Sequence, residues 1–168
     1  MNIETTRFGP ITIDRNKILT MEKGIPGFPD ERRYVLLPHH ENSPFYWLQS
    51  IDNAELAFVV VSPFSFCSDY SFEIPEQVRE ELKIDTPEQI DVLVLVTISA
   101  DRENSITANL LGPLVINMEK QIGCQLVLDP GRYPLQYPLS INSKKQKKRE
   151  TEHTSVCRNL RDYKALQI

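Results

Sequence analysis

Long apolar runs are missing from this 168-residue sequence, and so are the residue groupings on which most catalytic sites depend. No stretch approaches the roughly 18 consecutive apolar residues that a membrane-spanning helix needs. The opening residues, Met1-Asn2-Ile3-Glu4-Thr5-Thr6-Arg7, contain no basic region followed by an apolar core, so no secretory leader is expected and the chain should remain in the cytoplasm. Cysteine is scarce. Cys67, Cys124 and Cys157 are odd in number and make no C-x-x-C pair, which points away from a disulfide framework or a zinc knuckle. Cys67 and Cys124 stand in apolar, strand-like stretches, where a thiol serves as a small hydrophobe.

Histidine is equally sparse. His39 and His40 are neighbours, so on a strand they point to opposite faces, and His153 stands apart in a basic segment; no H-E-x-x-H or H-x-x-x-H pair exists. The six glycines are scattered and form neither G-x-G-x-x-G, nor a phosphate-cradling G-x-x-x-x-G-K-[ST], nor a G-x-S-x-G elbow. Aromatic residues interleaved with basic ones, the mark of a single-strand nucleic-acid platform, are absent from residues 1–142. No catalytic residue, cofactor or metal is therefore expected, and the chain reads as a protein that works by binding other proteins.

What is present is a series of short apolar or alternating runs punctuated by Gly, Pro, Asn and Asp. Strands are expected at 2–8, 11–14, 17–21, 33–37, 45–51, 57–62, 66–73, 91–98, 105–111, 114–118 and 122–128, a pattern that points to a sandwich or a barrel. Phe58-Val59-Val60-Val61 and Val92-Leu93-Val94-Leu95-Val96 are continuous rather than alternating, so both faces of these strands should be covered. The expected core includes Phe58, Val60, Leu93, Leu95, Ile116 and Leu126. One stretch has helical spacing: Ile74, Val78 and Leu82 recur every four residues behind Pro75. Thr86, Pro87 and Gln89 then spell a second, brief helical start with a capping box. Gly24-Ile25-Pro26-Gly27-Phe28-Pro29 must be a rigid irregular loop; it either places Phe28 in the core or presents a preformed ridge.

Charge divides the chain in two. Residues 143–168 carry eight Lys and Arg against three Asp and Glu, a net of +5, so the total of −4 leaves −9 on residues 1–142. An acidic body repels nucleic-acid phosphates and attracts basic partners, although the same charge also serves plain solubility. Glu73, Glu76, Glu80, Glu81, Asp85 and Glu88 gather around the short helix and are equally a solvated face or a binding surface. Gln49, Asn109 and Asn117 are polar residues within strand-like motifs, suited to hydrogen bonding of nearby backbone or to partner contact. Residues 143–168 hold Val156, Leu160 and Tyr163 at helical spacing, too few to hold a helix alone, so this basic tail is expected to be disordered by itself. The expected domains are thus a β domain at 1–142, able to fold without the tail, and the tail at 143–168.

An ordered set of motifs from Phe8-Gly9 to Pro138-Leu139 resembles the bacterial flagellar assembly factor FliW family. These are Gly24-Ile25-Pro26-Gly27-Phe28, Pro44-Phe45-Tyr46-Trp47-Leu48-Gln49-Ser50, Phe58-Val59-Val60 with Pro63, and Tyr70. Asp91-Val92-Leu93-Val94-Leu95-Val96-Thr97, Thr107-Ala108-Asn109-Leu110-Leu111-Gly112-Pro113-Leu114-Val115-Ile116-Asn117, Gln125-Leu126-Val127-Leu128 and Tyr133 complete it. The resemblance implies a mainly β protein, a small antiparallel β-barrel-like domain with one short helical segment. It also implies a cytoplasmic, non-enzymatic flagellar assembly factor with two partners: flagellin, and CsrA, the RNA-binding regulator that blocks translation of flagellin mRNA. In that scheme exported flagellin frees the factor to capture CsrA and lift the block. Partner contacts are expected at Glu73, Glu76, Glu80, Glu81, Asp85, Glu88, Gln49 and Asn109, with no direct nucleic-acid or membrane binding by the body. The alternative is a chaperone-like binder of another secreted subunit without translational control. Residues 143–168 lie beyond the family pattern.

Overall fold

A computed structural model describes residues 1–99 and 106–139, together with the backbone of Leu166–Gln167. Its strands are β1 (Asn2–Thr5), β2 (Gly9–Thr12), β3 (Ile18–Met21), β4 (Arg33–Pro38), β5 (Phe45–Ser50), β6 (Ala57–Val61), β7 (Phe72–Glu73), β8 (Ile90–Ile98), β9 (Ile106–Ala108), β10 (Leu114–Asn117), β11 (Ile122–Gln125), β12 (Tyr137–Pro138) and β13 (Leu166–Gln167). One α-helix, α1 (Glu76–Glu81), stands where the four-residue spacing places it. The brief helical turn Pro87–Gln89 also forms, its capping box closed by the Gln89 side chain accepting from Thr86 N–H at 3.2 Å.

Seven strands close a barrel in the order β3, β4, β5, β6, β8, β10, β11. The nine-residue β8 makes closure possible. Its first half pairs with β10, from Ile90 opposite Asn117 to Leu93 opposite Leu114, while Val94–Val96 pair with β6. Its last residues, Val96–Ile98, pair with β9, which carries β12 beyond it. The barrel is mixed rather than wholly antiparallel, because β11 runs parallel to β3, with Ile122 opposite Thr20. A closed barrel leaves none of its strands with an open edge, which removes the aggregation hazard of such apolar runs.

Alternate residues fill the interior: Leu19 and Met21 of β3, Tyr34 of β4, Leu48 of β5, Val60 of β6, Leu93 of β8, and Leu114 and Ile116 of β10, with Ile25 joining them from the loop. Gly123 of β11 faces the same space, and a Cβ there would lie 2.9 Å from the Val115 carbonyl and 3.0 Å from Met21 Sδ. The opposite faces are also covered. The β1–β2 hairpin packs Ile3 and Ile13 on Val35, and a second cluster sets Val61, Val92, Val94 and Val115 under Tyr70, Phe72, Ile74, Leu82 and Leu126. The continuous apolar runs of β6 and β8 thus contribute to a core on each side, as their lack of alternation requires. Of the six expected core residues, Val60, Leu93, Ile116 and Leu126 are buried, whereas Phe58 and Leu95 are half-buried against the barrel interior.

Several expectations change; the strands expected at 2–8 and 122–128 end at Thr5 and Gln125. The stretch 66–73 is strand only at Phe72–Glu73; before it the chain turns through Pro63–Ser65, and Tyr70 plunges inward to donate to the Leu110 carbonyl at 2.7 Å. The strand expected at 105–111 shortens to Ile106–Ala108, and the residues after it turn, with Asn109 Oδ1 accepting from Gly112 N–H at 2.9 Å. In the Gly24–Pro29 loop it is Ile25 that enters the core, while Phe28 stays 40% exposed, edge-on to Phe58. Gly24 has φ +65°, and a side chain there would strike the Phe28 carbonyl at 2.5 Å. Most of the tail lies outside the described residues. Within it, Leu166–Gln167 pairs in parallel with β7, Gln167 opposite Glu73.

Burial gives the fold an alkaline limit. Desolvation pushes the Tyr34 hydroxyl up from 10.0 to about 12, and Tyr70 is raised by the same cause. The unfolded chain then loses these protons first as pH passes 10, so stability held below pH 10 falls as pH climbs toward about 12. Urea midpoints measured from pH 8 upward should decline across that window, and Tyr34→Phe should make the decline shallower.

Candidate functional site

β7 leads straight into α1, so the other five acidic candidates follow Glu73 by Glu88, on the outside of the barrel. All six side chains, Glu73, Glu76, Glu80, Glu81, Asp85 and Glu88, are exposed. The stripe of Val78 and Leu82 turns the helix inward and leaves Glu76, Glu80 and Glu81 facing water. Glu76, Glu80 and Asp85 come together around a shallow polar recess shared with Arg79 and Lys83. Glu81 stands apart from it, accepting from Lys23 Nζ at 2.8 Å and from Gln77 Nε2 at 3.1 Å. These two hydrogen bonds, the lysine's first, hold Glu81 below the usual carboxylate range. Glu88 is also lowered, by its own backbone N–H and then by the Thr86 hydroxyl. Arg79, Lys83 and Lys23 therefore interleave with the six carboxylates, and the face is less uniformly negative than its sequence suggests.

The helix is held in place from below. Asn117, buried at the end of β10, donates through Nδ2 to the Leu82 and Lys83 carbonyls at 2.9 Å each, and its Oδ1 accepts from Glu119 and Lys120 N–H at 3.0 and 3.1 Å. One amide thus ties the C-terminal end of α1 to the barrel rim with all its polar capacity used.

Gln49 is in a different place. It is fully buried, and Nε2 donates to the carbonyls of Ser50, Asn53 and Leu56 at 2.9, 3.3 and 3.0 Å, bracing the turn between β5 and β6. Its Oε1 is buried without a partner. Asn109, half-buried at the end of β9, is occupied by its turn. Neither joins the acidic face.

A second surface escaped the sequence reading. His39, Phe45, Trp47, Val59, Val96, Ile98 and Ile106 line an apolar groove of about 150 Å³ across β5, β6, β8 and β9. The Trp47 indole N–H donates to His39 Nδ1 at 3.0 Å, and the Arg7 guanidinium lies 4.2 Å above the Trp47 ring. Ile98, beside this groove, is 57% exposed. No local signal marked this groove, because its residues meet only through the pairing of β5, β6, β8 and β9. Of the two described thiols, burial raises Cys124 to about 11 and also raises Cys67, which favours the protonated form of both.

The comparisons converge. A family model described as FliW protein matches residues 2–139. The flagellar assembly factor FliW of Syntrophus aciditrophicus is 42% identical over 144 residues, spanning 84% of this chain and 89% of that one. The FliW of Bacillus subtilis is 40% identical over 143 residues, spanning 85% and 99%. A crystal structure of the flagellar assembly factor FliW superposes with a TM-score of 0.74 at 35% identity, covering 82% of this chain and 96% of that one.

Proposed function

The chain belongs to the FliW family, and from that premise we propose that this flagellar assembly factor works in the cytoplasm by binding two proteins, flagellin and the translational regulator CsrA. It acts without catalysis. Binding CsrA removes it from flagellin mRNA, so flagellin translation rises when the factor is free of flagellin.

The observation that carries the CsrA half is the exposed acidic face of α1 and its flanks on a body of charge −9. An RNA-binding regulator presents basic surface, and a negative face steers it in while repelling RNA from the occupied site. The flagellin half is supported by the groove around Ile98. A filament subunit awaiting assembly carries apolar surface that must be shielded, and this groove is a surface of that chemistry. Glu73, Glu76, Glu80, Glu81, Asp85 and Glu88 are the proposed CsrA contacts; Gln49 and Asn109 would support them through the fold rather than by touch.

Purified chain titrated with CsrA and with flagellin should form a complex with each, and flagellin added to the CsrA complex should release CsrA. Capture of a different secreted subunit, with no CsrA binding, would favour the chaperone alternative and reject translational control.

A further inference from the structure

The outer face of the barrel is covered on two flanks and open between them. The β1–β2 hairpin packs on Val35 of β4, while Tyr70, Phe72 and Ile74 pack with Val61 of β6 and Val94 of β8. Between these covers Trp47, Val59 and Val96 stand in register across β5, β6 and β8 and are only half-buried, with Ile98 exposed beside them. This is the apolar groove of about 150 Å³, and an apolar cavity of that size holds a group such as benzene. β5 and β6 are each paired on both sides, so an occupant enters by its side chains rather than as an added strand.

Beside the groove a cation is fixed in place. Thr5 Oγ1 donates to the Gly9 carbonyl at 2.9 Å and accepts from Phe8 N–H at 3.0 Å, and Thr6 N–H donates to the Ala54 carbonyl at 2.9 Å. The turn held this way sets the Arg7 guanidinium 4.2 Å over the Trp47 ring and places Phe8 edge-on to it. Among the described residues no carboxylate pairs with Arg7; the ion pairs there are Lys23–Glu81 and Arg33–Asp52.

We propose that this groove takes an apolar side chain of flagellin with a carboxylate beside it, and that Arg7 is the residue that selects for the carboxylate. The proposal deepens the flagellin reading above and rests on it. Charge decides the occupant. A body of −9 repels an acidic segment from most of its surface, whereas an unpaired guanidinium next to an apolar groove attracts one here. The same net charge disfavours a second copy of this chain as the occupant, because two acidic bodies repel. Stacked on the indole, the guanidinium is already ordered and loses little freedom on pairing.

The test is titration of the full chain with purified monomeric flagellin. Arg7→Glu should weaken binding at least about tenfold and Ile98→Glu by a similar factor, while Arg7→Lys, which keeps the charge, should stay within about threefold. Both positions are exposed, so the melting temperatures should match the wild type. Among flagellin variants that each carry one Asp or Glu changed to Lys, one should bind the Arg7→Glu chain at least about tenfold better than unaltered flagellin does, the mark of a direct charge pair. Equal binding by the wild-type chain and both Glu variants would overturn the groove as the site and leave flagellin binding standing. Loss in Ile98→Glu alone, equal loss in Arg7→Lys and Arg7→Glu, or no flagellin variant that recovers Arg7→Glu would overturn the role given to Arg7. A wild-type dimer that Arg7→Glu or Ile98→Glu dissociates in sedimentation would assign the groove to a second copy and overturn the proposal. Absence of flagellin binding by the wild-type chain rejects the flagellin reading and this proposal with it.

Discussion

Asn117→Ala is expected to cost about 3 kcal/mol and lower the melting temperature by roughly 10 °C. The side chain is buried and makes four hydrogen bonds, two to the carbonyls closing α1 and two to the turn after β10. Alanine leaves two acceptors and two donors without those partners, and the small residue cannot refill the space. The loss should also be local in a telling way. With the Leu82 and Lys83 carbonyls released, hydrogen exchange across 76–84 should rise more than in β4 or β5. A drop in melting temperature with uniform exchange would mean that Asn117 holds the barrel but not the helix.

Leu48→Ala should be of similar size, about 3 kcal/mol within the usual 2–5 for a buried leucine. Leu48 is fully buried at the centre of the barrel, opposite Leu36 on one side and Phe58 on the other. Six strands and the Gly24–Pro29 loop contribute side chains around it, so the ring cannot collapse inward to fill the hole without breaking register. Leu95→Ala provides the contrast. Leu95 is half-buried beside the same cluster and should cost about half as much. Urea denaturation of both variants measures the difference, and equal costs would show that the interior side chains are not the main support of the barrel.

Much of this architecture was legible in the residues. The helix at 76–81, the capping box at Thr86 and Gln89, and the two-sided burial of β6 and β8 follow from periodicity and local chemistry, which act over a few residues. What could not be read depends on distant pairing. The parallel β3–β11 contact joins Thr20 to Ile122, and nothing local distinguishes a parallel from an antiparallel partner. The segment 66–71 has strand-like composition, yet Tyr70 finds the Leu110 carbonyl and Ser71 finds Tyr133, so tertiary bonds replace a ladder. Whether the Gly24–Pro29 loop buries Phe28 was open in the sequence; the Ile25–Phe28 bridge across a positive-φ Gly27 turns Ile25 inward instead.

The acidic candidates divide along the same line. Exposure of all six could be inferred from the helical stripe, because Val78 and Leu82 fix which face is wet. Lys23 could not, being 58 residues from Glu81 in sequence and 2.8 Å from it in space. The apolar groove has the same origin. Trp47, Val96 and Ile106 come from three separate strands, and they meet through the successive pairing of β5, β6, β8 and β9.

The central claim is that the acidic face of α1 recruits CsrA, and association kinetics test it most directly. Reversing Glu76, Glu80 and Glu81 to lysine changes exposed side chains opposite or beside the Val78 and Leu82 stripe, and the Glu81–Lys23 pair it removes is an exposed one of small energetic weight, so the fold and flagellin binding should persist. Stopped-flow association with CsrA would be followed from 0.1 M to 1 M salt, over which the Debye length shrinks from ~10 Å to ~3 Å. The wild-type rate should fall steeply with salt, the triple variant should associate at least about tenfold more slowly at 0.1 M, and the two should converge at 1 M, with dissociation changed far less. A variant that binds flagellin normally and meets CsrA at the wild-type rate throughout the series would contradict the claim.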